Sequence, residues 1–221
     1  MSDSDIDIDD EELIQMQYKQ KGVHYPKKKI VNRIIHVQKP HVLNDSSLLC
    51  KITSKMSHFK RQIEYMHTLN QKNIDALKYY TDDGYEPINN YLRYGGDKYS
   101  HKIHNSIELI DGIFKSVPPL TENVIVYRGI KSSFMIDASF IEKSFVSTTV
   151  DTSIASEYAN QKCCFFKIYI PKGTRVIPLV SCSENASELE VLLPRNSHFK
   201  FTSLAHDGTL NKNVISLFYG D

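Results

Sequence analysis

The residue pattern of the chain changes once, at the adjacent prolines Pro118 and Pro119, and this change limits the folds open to it. Before the prolines, apolar residues recur every three or four positions, which is the spacing of amphipathic helices. After them, short runs rich in β-branched and aromatic residues are separated by turns, which is the pattern of strands. Helices followed by strands predict an α+β fold with N-terminal helices and a mostly antiparallel, β-sandwich-like core.

Three helices are predicted before the prolines. The first covers residues 48–80, and the stretch TDDGYEP is predicted to break it because Gly84 and Pro87 interrupt helices. The second begins near Pro87 and ends at Gly95 and Gly96. The third is SHKIHNSIELIDGIFKSV, whose predicted core residues are Ile103, Ile107, Ile110, Ile113 and Phe114.

Seven strand-like runs follow the prolines. They are NVIVYRGI, KSFVSTTV, CCFFKIYI, TRVIPLV, ELEVLLP, HFKFTSL and NVISLFYG. A short helix, TSIASEYA, is predicted between the second and third runs. Residues 1–20 begin with the acidic run MSDSDIDIDDEE and are predicted to be disordered, because they have little to bury. Residues 21–70 are interpreted as an N-terminal appendage with a helical segment, and residues 71–221 as the main domain.

Overall charge and cysteine usage exclude several classes of function. The net charge of +1 gives no general electrostatic reason to bind nucleic acid or an anionic membrane. No apolar run is long enough to span a membrane, and the N-terminus lacks the residue order of a secretory signal. The four cysteines show no CxxC spacing and the nine histidines no metal-ligand spacing. We therefore expect reduced thiols and no metal. The protein is expected to be a monomer that is cytoplasmic, with a viral protein or a protein delivered into a host cell as the alternatives.

Two glutamates stand one residue apart in the stretch SELEVLLPRNSHFKF. Alternate side chains of a strand point to opposite faces, so Glu188 and Glu190 are predicted to share one face while Leu189, Val191 and Leu193 enter the core. Like charges repel, which leaves two interpretations of the pair. The face is either solvated, or it is a site where one carboxylate does chemistry and the other directs a substrate.

Two further motifs are ambiguous when each is taken singly. Arg128 in YRG fits a partly buried arginine paired with a carboxylate, and Ser147 in FVSTT fits an ordinary strand hydroxyl. Their order along the chain is more specific, because YRG and FVSTT end two predicted strands, IPKG follows, and ELE opens a later strand. Upstream lies YTDDGYEPINNYLR, a segment rich in tyrosine and asparagine.

Taken together, these motifs resemble the arginine–serine–glutamate group of mono-ADP-ribosyltransferases, the family of clostridial binary-toxin enzymes and arginine-specific transferases. The resemblance runs from about Tyr79 to Phe218, so residues 71–221 would form the catalytic domain. It implies NAD as co-substrate, and YTDDGYEPINNYLR is similar to the helical NAD-binding segment of the family. The chain has no GxGxxG or GxxxxGK motif, so NAD is not expected to bind in the Rossmann manner.

The resemblance assigns the catalytic group. Glu190 is expected to stabilise the positive charge that develops on the ribose as nicotinamide leaves, as in glycoside cleavage. Arg128 is expected to bind the pyrophosphate, because a planar guanidinium grips phosphate oxygens bidentately. Ser147 is expected to orient Glu190.

It also assigns further contacts to NAD. Gly129 is expected to let the backbone approach and pair with the nicotinamide amide. Tyr158 is expected to lie against nicotinamide, with a core aromatic as the alternative. Tyr80, Tyr85 and Asn89 match the helical NAD-binding segment by their spacing.

Glu188 bears on the acceptor. In the resembling family, a glutamate two residues before the catalytic one goes with arginine as acceptor, and a glutamine goes with asparagine. The implied reaction is transfer of ADP-ribose from NAD to an arginine of a protein substrate, releasing nicotinamide. Two alternatives remain: hydrolysis of NAD with water as acceptor, and a catalytically silent fold used as a binding module.

We expect Arg128→Lys to weaken NAD binding measurably, because lysine keeps the charge but loses the planar fork. Titration calorimetry with NAD measures the effect, with Arg61→Lys, outside the motifs, as the control. Equal NAD affinity of the Arg128→Lys variant and the wild type would leave Arg128 with a structural role only.

Overall fold

The computed structural model describes residues 54–95, 101–130, 138–159, 165–183, 185–209 and 212–220. The acidic N-terminus and most of the predicted appendage lie outside the described residues, as do Cys50, Cys163 and Cys164. The boundary between appendage and catalytic domain stays a prediction. Cys182, which the structure describes, is buried and free.

Five helices are described, four of them before the strands. These four are α1 at Lys60–Met66, α2 at Gln71–Tyr79, α3 at Tyr85–Tyr94 and α4 at His101–Ser116. A 3-10 turn at Ser57–Phe59 precedes α1, and a π-helical turn at Tyr80–Gly84 joins α2 to α3. Asn70 caps α2, accepting a hydrogen bond from the Asn73 backbone N–H at 3.1 Å. The third predicted helix is confirmed as α4, and its five apolar residues are buried. Gly95, at φ 71°, ends α3 as predicted.

The predicted break at TDDGYEP is wrong, and so is a single helix over residues 48–80. The chain turns between Met66 and Asn70, and α2 then continues through the π turn into α3 without interruption. A π turn changes the hydrogen-bond pattern locally, and Pro87 falls just after it, where the missing N–H is tolerated. Gly84 serves packing, because a Cβ there would lie 2.6 Å from the Tyr79 carbonyl oxygen.

Eight strands and one short helix form the second part of the fold. They are β1 Val124–Gly129, β2 Ser139–Glu142, β3 Val146–Thr149, α5 Thr152–Tyr158, β4 Phe165–Ile170, β5 Ile177–Pro178, β6 Glu190–Leu193, β7 Ser197–Asp207 and β8 Lys212–Tyr219. The strands pair in the order β2-β7-β8-β4-β1-β3-β6-β5, and only β4 and β8 are parallel among the described pairs. The α+β class with mostly antiparallel strands is therefore confirmed. Strand β2 had no counterpart among the predicted runs, and TRVIPLV contributes only the two residues of β5.

Strand β6 is buried on both faces. Val191 and Leu193 pack into a cluster with residues of β1 and β4, as predicted. Leu192, on the same face as Glu190, is fully buried in a second cluster formed with the helices. The face that carries Glu190 is therefore covered by the helical layer, and the interpretation as a solvated strand face is wrong for this glutamate.

The prediction that Glu188 and Glu190 stand on one strand is also wrong. Glu188 ends a 3-10 turn, Ala186–Glu188, and the strand begins only at Glu190. Between them Leu189 adopts a left-handed conformation with φ 50°. Its side chain is fully buried, and this burial offsets the strain of a positive φ.

Helix α5 packs directly on the end of β1. A Cβ at Gly129 would lie 2.4 Å from the Ala155 carbonyl oxygen and 2.6 Å from Tyr158 Cβ. Asp151 caps the helix, accepting a hydrogen bond from the Ser153 N–H at 3.0 Å, and Lys55 Nζ lies 2.7 Å from the same carboxylate. The glycine therefore sets how closely α5 approaches the strand.

We expect Gly129→Ala to lower the free energy of unfolding by about 1–3 kcal/mol, because the added methyl group overlaps the backbone of α5. Gly112→Ala is the matched control: it lies within α4 with nothing within 4 Å of its Cβ position. That change is expected to stabilise the protein by about 0.5–1 kcal/mol. Urea denaturation of both variants checks this, and equal stability of the two would contradict it.

Candidate active site

Three neighbouring strands bring the motif residues together. In the sheet, Tyr127 of β1 is paired with Thr149 of β3, which is paired with Glu190 of β6. Arg128 Nη1 donates a hydrogen bond to the Ser147 carbonyl oxygen at 2.8 Å. The predicted arginine, serine and glutamate thus lie on adjacent strands, and Ser147 and Glu190 share the face of Leu192, which packs against the helices.

A chain of hydrogen bonds supports Ser147 from behind. Asn89 Nδ2 donates to Tyr80 Oη at 3.2 Å, and Tyr80 Oη lies 3.4 Å from Ser147 Oγ. Ser147 also lies close enough to Glu190 for its hydroxyl to lower the pKa of that carboxyl group. Tyr80 is fully buried, and burial raises the pKa of its hydroxyl, so it remains a neutral phenol. The structure places Tyr80 behind Ser147, whereas the sequence predicted direct contact with NAD.

The same network contains one open acceptor. Asn89 is only 7% exposed, and its Oδ1 has no hydrogen-bond partner among the described residues. A buried amide oxygen without a donor is unfavourable, and such atoms in a cleft are the ones a ligand can satisfy.

Glu190 has a strongly perturbed acidity. Burial raises the pKa of its carboxyl group to about 7, and the negative charge of Glu188 acts in the same direction. The Ser147 hydroxyl and the positive charge of Arg128 oppose the shift. A carboxylate perturbed by burial and by specific charged neighbours is typical of an active site.

A second arginine lies near Arg128. Arg93 of α3 is held by Glu142 of β2, with 3.0 Å between Nε and Oε1. Ser144 also donates to Glu142 through its backbone N–H and its hydroxyl. Burial lowers the pKa of Arg128, and the charge of Arg93 lowers it further. Neither Arg93 nor Glu142 was predicted from the sequence. Arg93 is the last residue of the segment YTDDGYEPINNYLR and could have been included, whereas Glu142 lies in none of the motifs.

The threonines of FVSTT secure the glutamate segment. Thr148 donates its hydroxyl to the Val191 carbonyl, and Thr149 donates to the Glu188 carbonyl at 2.6 Å. Both threonines are buried. They were quoted as part of a motif, but their separate function became visible only once the pairing of β3 with β6 was known.

The remaining predicted residues form the outer part of the site. Tyr158 Oη donates a hydrogen bond to Glu188 Oε1 at 2.8 Å. Tyr158 is 49% exposed and Tyr85 51% exposed, and the two are close enough to interact electrostatically. Gly129 lies against Tyr158 at the end of β1. All nine predicted site residues therefore belong to one connected region.

Neither a metal site nor a membrane-spanning helix is found in the described part of the chain. Among those residues no group of three or more histidine, cysteine, aspartate or glutamate side chains is arranged to hold a metal ion. No helix there combines the length and apolar character needed to cross a membrane.

The fold combines a helical layer with a sheet that carries arginine, serine and glutamate on three adjacent strands. This combination is the one expected from the resemblance to ADP-ribosyltransferases. The sequence profile of the ADP-ribosyltransferase exoenzyme family matches residues 55–139 and 132–217. The chain therefore belongs to this family, which confirms the resemblance found in the sequence. The match begins at residue 55, upstream of Tyr79, where the sequence resemblance began.

Two curated relatives are similar over 66% and 62% of the chain. The chain is 28% identical over 159 residues to the NAD(+)–arginine ADP-ribosyltransferase EFV of Enterococcus faecalis, covering 66% of this chain and 31% of that protein. It is 28% identical over 173 residues to the mono(ADP-ribosyl)transferase SpvB of Salmonella typhimurium, covering 62% of this chain and 28% of that protein. The chain thus matches less than a third of the length of these relatives.

Solved structures share the fold. Plx2a, an ADP-ribosyltransferase toxin from Paenibacillus larvae, matches with a TM-score of 0.63 and 20% identity, covering 77% of this chain and 97% of that one. C3stau2 from S. aureus, solved with NAD, matches with a TM-score of 0.62 and 20% identity, covering 78% and 96%.

The acidity of Glu190 has a consequence for stability. Its pKa of about 7 in the folded protein lies above the ordinary value of 4.5, so the folded state holds the proton more tightly than the unfolded chain. Stability from this group is present below pH 4.5 and is lost as pH rises through 7. Glu190→Gln should therefore increase the free energy of unfolding by about 2–3 kcal/mol at pH 8, and by much less at pH 5.

Denaturant unfolding at both pH values measures this difference. Glu108→Gln, on the exposed face of α4, is the control and should stay within about 0.5 kcal/mol at either pH. A Glu190→Gln variant less stable than wild type at pH 8 would contradict the assigned pKa.

Proposed function

We propose that this protein is a mono-ADP-ribosyltransferase that moves ADP-ribose from NAD to an arginine side chain of a protein and releases nicotinamide. The observation that carries the proposal is the placement of Arg128, Ser147 and Glu190 on adjacent strands, with Glu188 beside them. Family membership, and relatives named as arginine ADP-ribosyltransferases or mono(ADP-ribosyl)transferases, support it.

The residues present fit NAD. The Arg128 guanidinium uses Nη1 on the Ser147 carbonyl and has further N–H groups that can bind pyrophosphate oxygens. Asn89 Oδ1 is a buried acceptor that awaits a donor, which a ribose hydroxyl or an amide can supply. The exposed rings of Tyr85 and Tyr158 offer flat surfaces at the same opening.

NAD supplies a C–N bond between ribose and nicotinamide that breaks with both electrons going to the nicotinamide nitrogen. Glu190 then stabilises the positive charge left on the ribose, and an ionised carboxylate does so best. Its raised pKa of about 7 implies that activity increases as pH rises through neutrality, because more of the carboxylate is ionised. Ser147 holds Glu190 in place for this purpose.

Glu188 acts on the acceptor. A guanidinium is cationic and carries only donors, so it is a poor nucleophile until a carboxylate binds it and accepts a proton. The new bond forms between a guanidinium nitrogen and the ribose carbon that nicotinamide left, and the proton passes to Glu188 and then to solvent. Glu188 is partly exposed at the opening of the site, where a protein side chain can reach it.

Substitution of each glutamate should therefore affect transfer and NAD hydrolysis differently. Glu190→Gln is expected to abolish both transfer and NAD hydrolysis, with a loss of about a hundredfold or more in turnover. Glu188→Gln is expected to suppress transfer to arginine strongly while slow hydrolysis continues, because water needs no such orientation. Nicotinamide release and labelled agmatine can be followed in one tube with labelled NAD.

Glu108→Gln is the matched control and should keep both reactions. Equal loss of transfer and hydrolysis in Glu188→Gln would contradict the division between the two carboxylates. A wild-type protein that releases nicotinamide but labels neither agmatine nor protein would favour the NAD glycohydrolase. No release of nicotinamide at all would favour a silent binding module.

A further inference from the structure

The Glu188 carboxylate is held through one of its two oxygens. Tyr158 Oη donates to Oε1 at 2.8 Å, and Asn185 Nδ2 donates to the same oxygen at 3.4 Å. Among the described residues no hydrogen bond to Oε2 is found. Among these residues, Oε1 is therefore bonded within the protein and Oε2 has no such partner.

The backbone at Glu188 is fixed independently of this contact. Its carbonyl oxygen accepts from Thr149 Oγ1 at 2.6 Å, and its N–H donates to the Asn185 carbonyl at 3.0 Å. The remaining freedom lies in the glutamate side chain, which is long and flexible. The tyrosine hydroxyl restricts that freedom, at a charge-assisted hydrogen bond.

Tyr158 is itself firmly placed. It is the last residue of α5, and a methyl group at Gly129 would lie only 2.6 Å from its Cβ. Its Cβ thus packs against the end of β1, the strand that carries Arg128. Burial, together with the hydrogen bond to Glu188, raises the pKa of Tyr158, so the hydroxyl keeps its proton and remains a donor at neutral pH.

We propose that Tyr158 is a positioning residue for the acceptor: its hydroxyl orients Glu188 so that Oε2 faces the guanidinium of the substrate arginine. The inference rests on the proposed function, since it concerns transfer to arginine. The hydroxyl links the part of the site that binds NAD to the turn that receives the acceptor. Asn185 assists through its longer contact with the same oxygen.

The test is Tyr158→Phe, which removes the hydroxyl and keeps the ring. The ratio of agmatine labelling to NAD hydrolysis is expected to fall about tenfold, the scale of one hydrogen bond to a charged group. The change should appear mainly as a higher KM for agmatine. Tyr169→Phe, which removes a hydroxyl from the surface of β4, is the control and should leave the ratio at its wild-type value.

A double-mutant cycle separates positioning from a structural role. If Tyr158 acts through Glu188, Tyr158→Phe should change the ratio by less than about twofold once Glu188 is glutamine. Asn185→Ala should lower the ratio in the wild-type background by less than Tyr158→Phe does, because its contact is longer.

The outcomes separate this inference from the proposed function. A wild-type protein that labels agmatine, with the same ratio in Tyr158→Phe, overturns the inference alone. Equal losses of transfer and hydrolysis in Tyr158→Phe also overturn it, because they assign the hydroxyl to NAD. A wild-type protein that releases no nicotinamide overturns the proposed function and the inference together.

Discussion

The site depends on the placement of the Glu190 carboxylate at the edge of an apolar cluster. Leu192, on the same face of β6, is fully buried against the helices. Glu190 therefore lies at the border of that apolar cluster. Burial raises the pKa of the glutamate to about 7, and Ser147 and Arg128 oppose the shift. These two neighbours therefore have a defined task, which is to keep a partly dehydrated carboxylate able to ionise at neutral pH. The folded state bears the free-energy cost of that charge, as is common at active sites.

Three consecutive hydroxyl residues of β3 contact the segment that contains Glu188 and Glu190. Ser147 faces the site, where it contacts Tyr80 and Glu190. Thr148 and Thr149 donate instead to carbonyl oxygens on either side of Glu190 in the chain. Strand β3 thus holds both the side chain and the backbone of the catalytic segment. Rigid support of this kind is what a site needs to keep its geometry.

The sequence allowed the fold class, α4, α5 and the motif strands to be predicted, because their apolar periodicity is strong and local. It failed at the π turn, where a glycine and a proline look like a break but lie within a continuous helix. It also failed for β2, whose apolar residues are few. The order of the motifs allowed us to predict which residues form the site. It did not allow us to predict how deeply each of them is buried. Tyr80 is an example: only tertiary packing places it behind Ser147 rather than at the surface.

The largest local departure from the sequence prediction explains how two adjacent carboxylates can do different things. Strand alternation would have placed Glu188 and Glu190 side by side with equal surroundings. The left-handed conformation of Leu189 instead ends the 3-10 turn and starts the strand, so each glutamate belongs to a different element. Glu190 is held by a buried strand, while the Glu188 side chain is held by Tyr158 and Asn185 at the opening. A buried leucine side chain makes this strained turn stable, so the geometry of both carboxylates depends on a residue that touches no substrate.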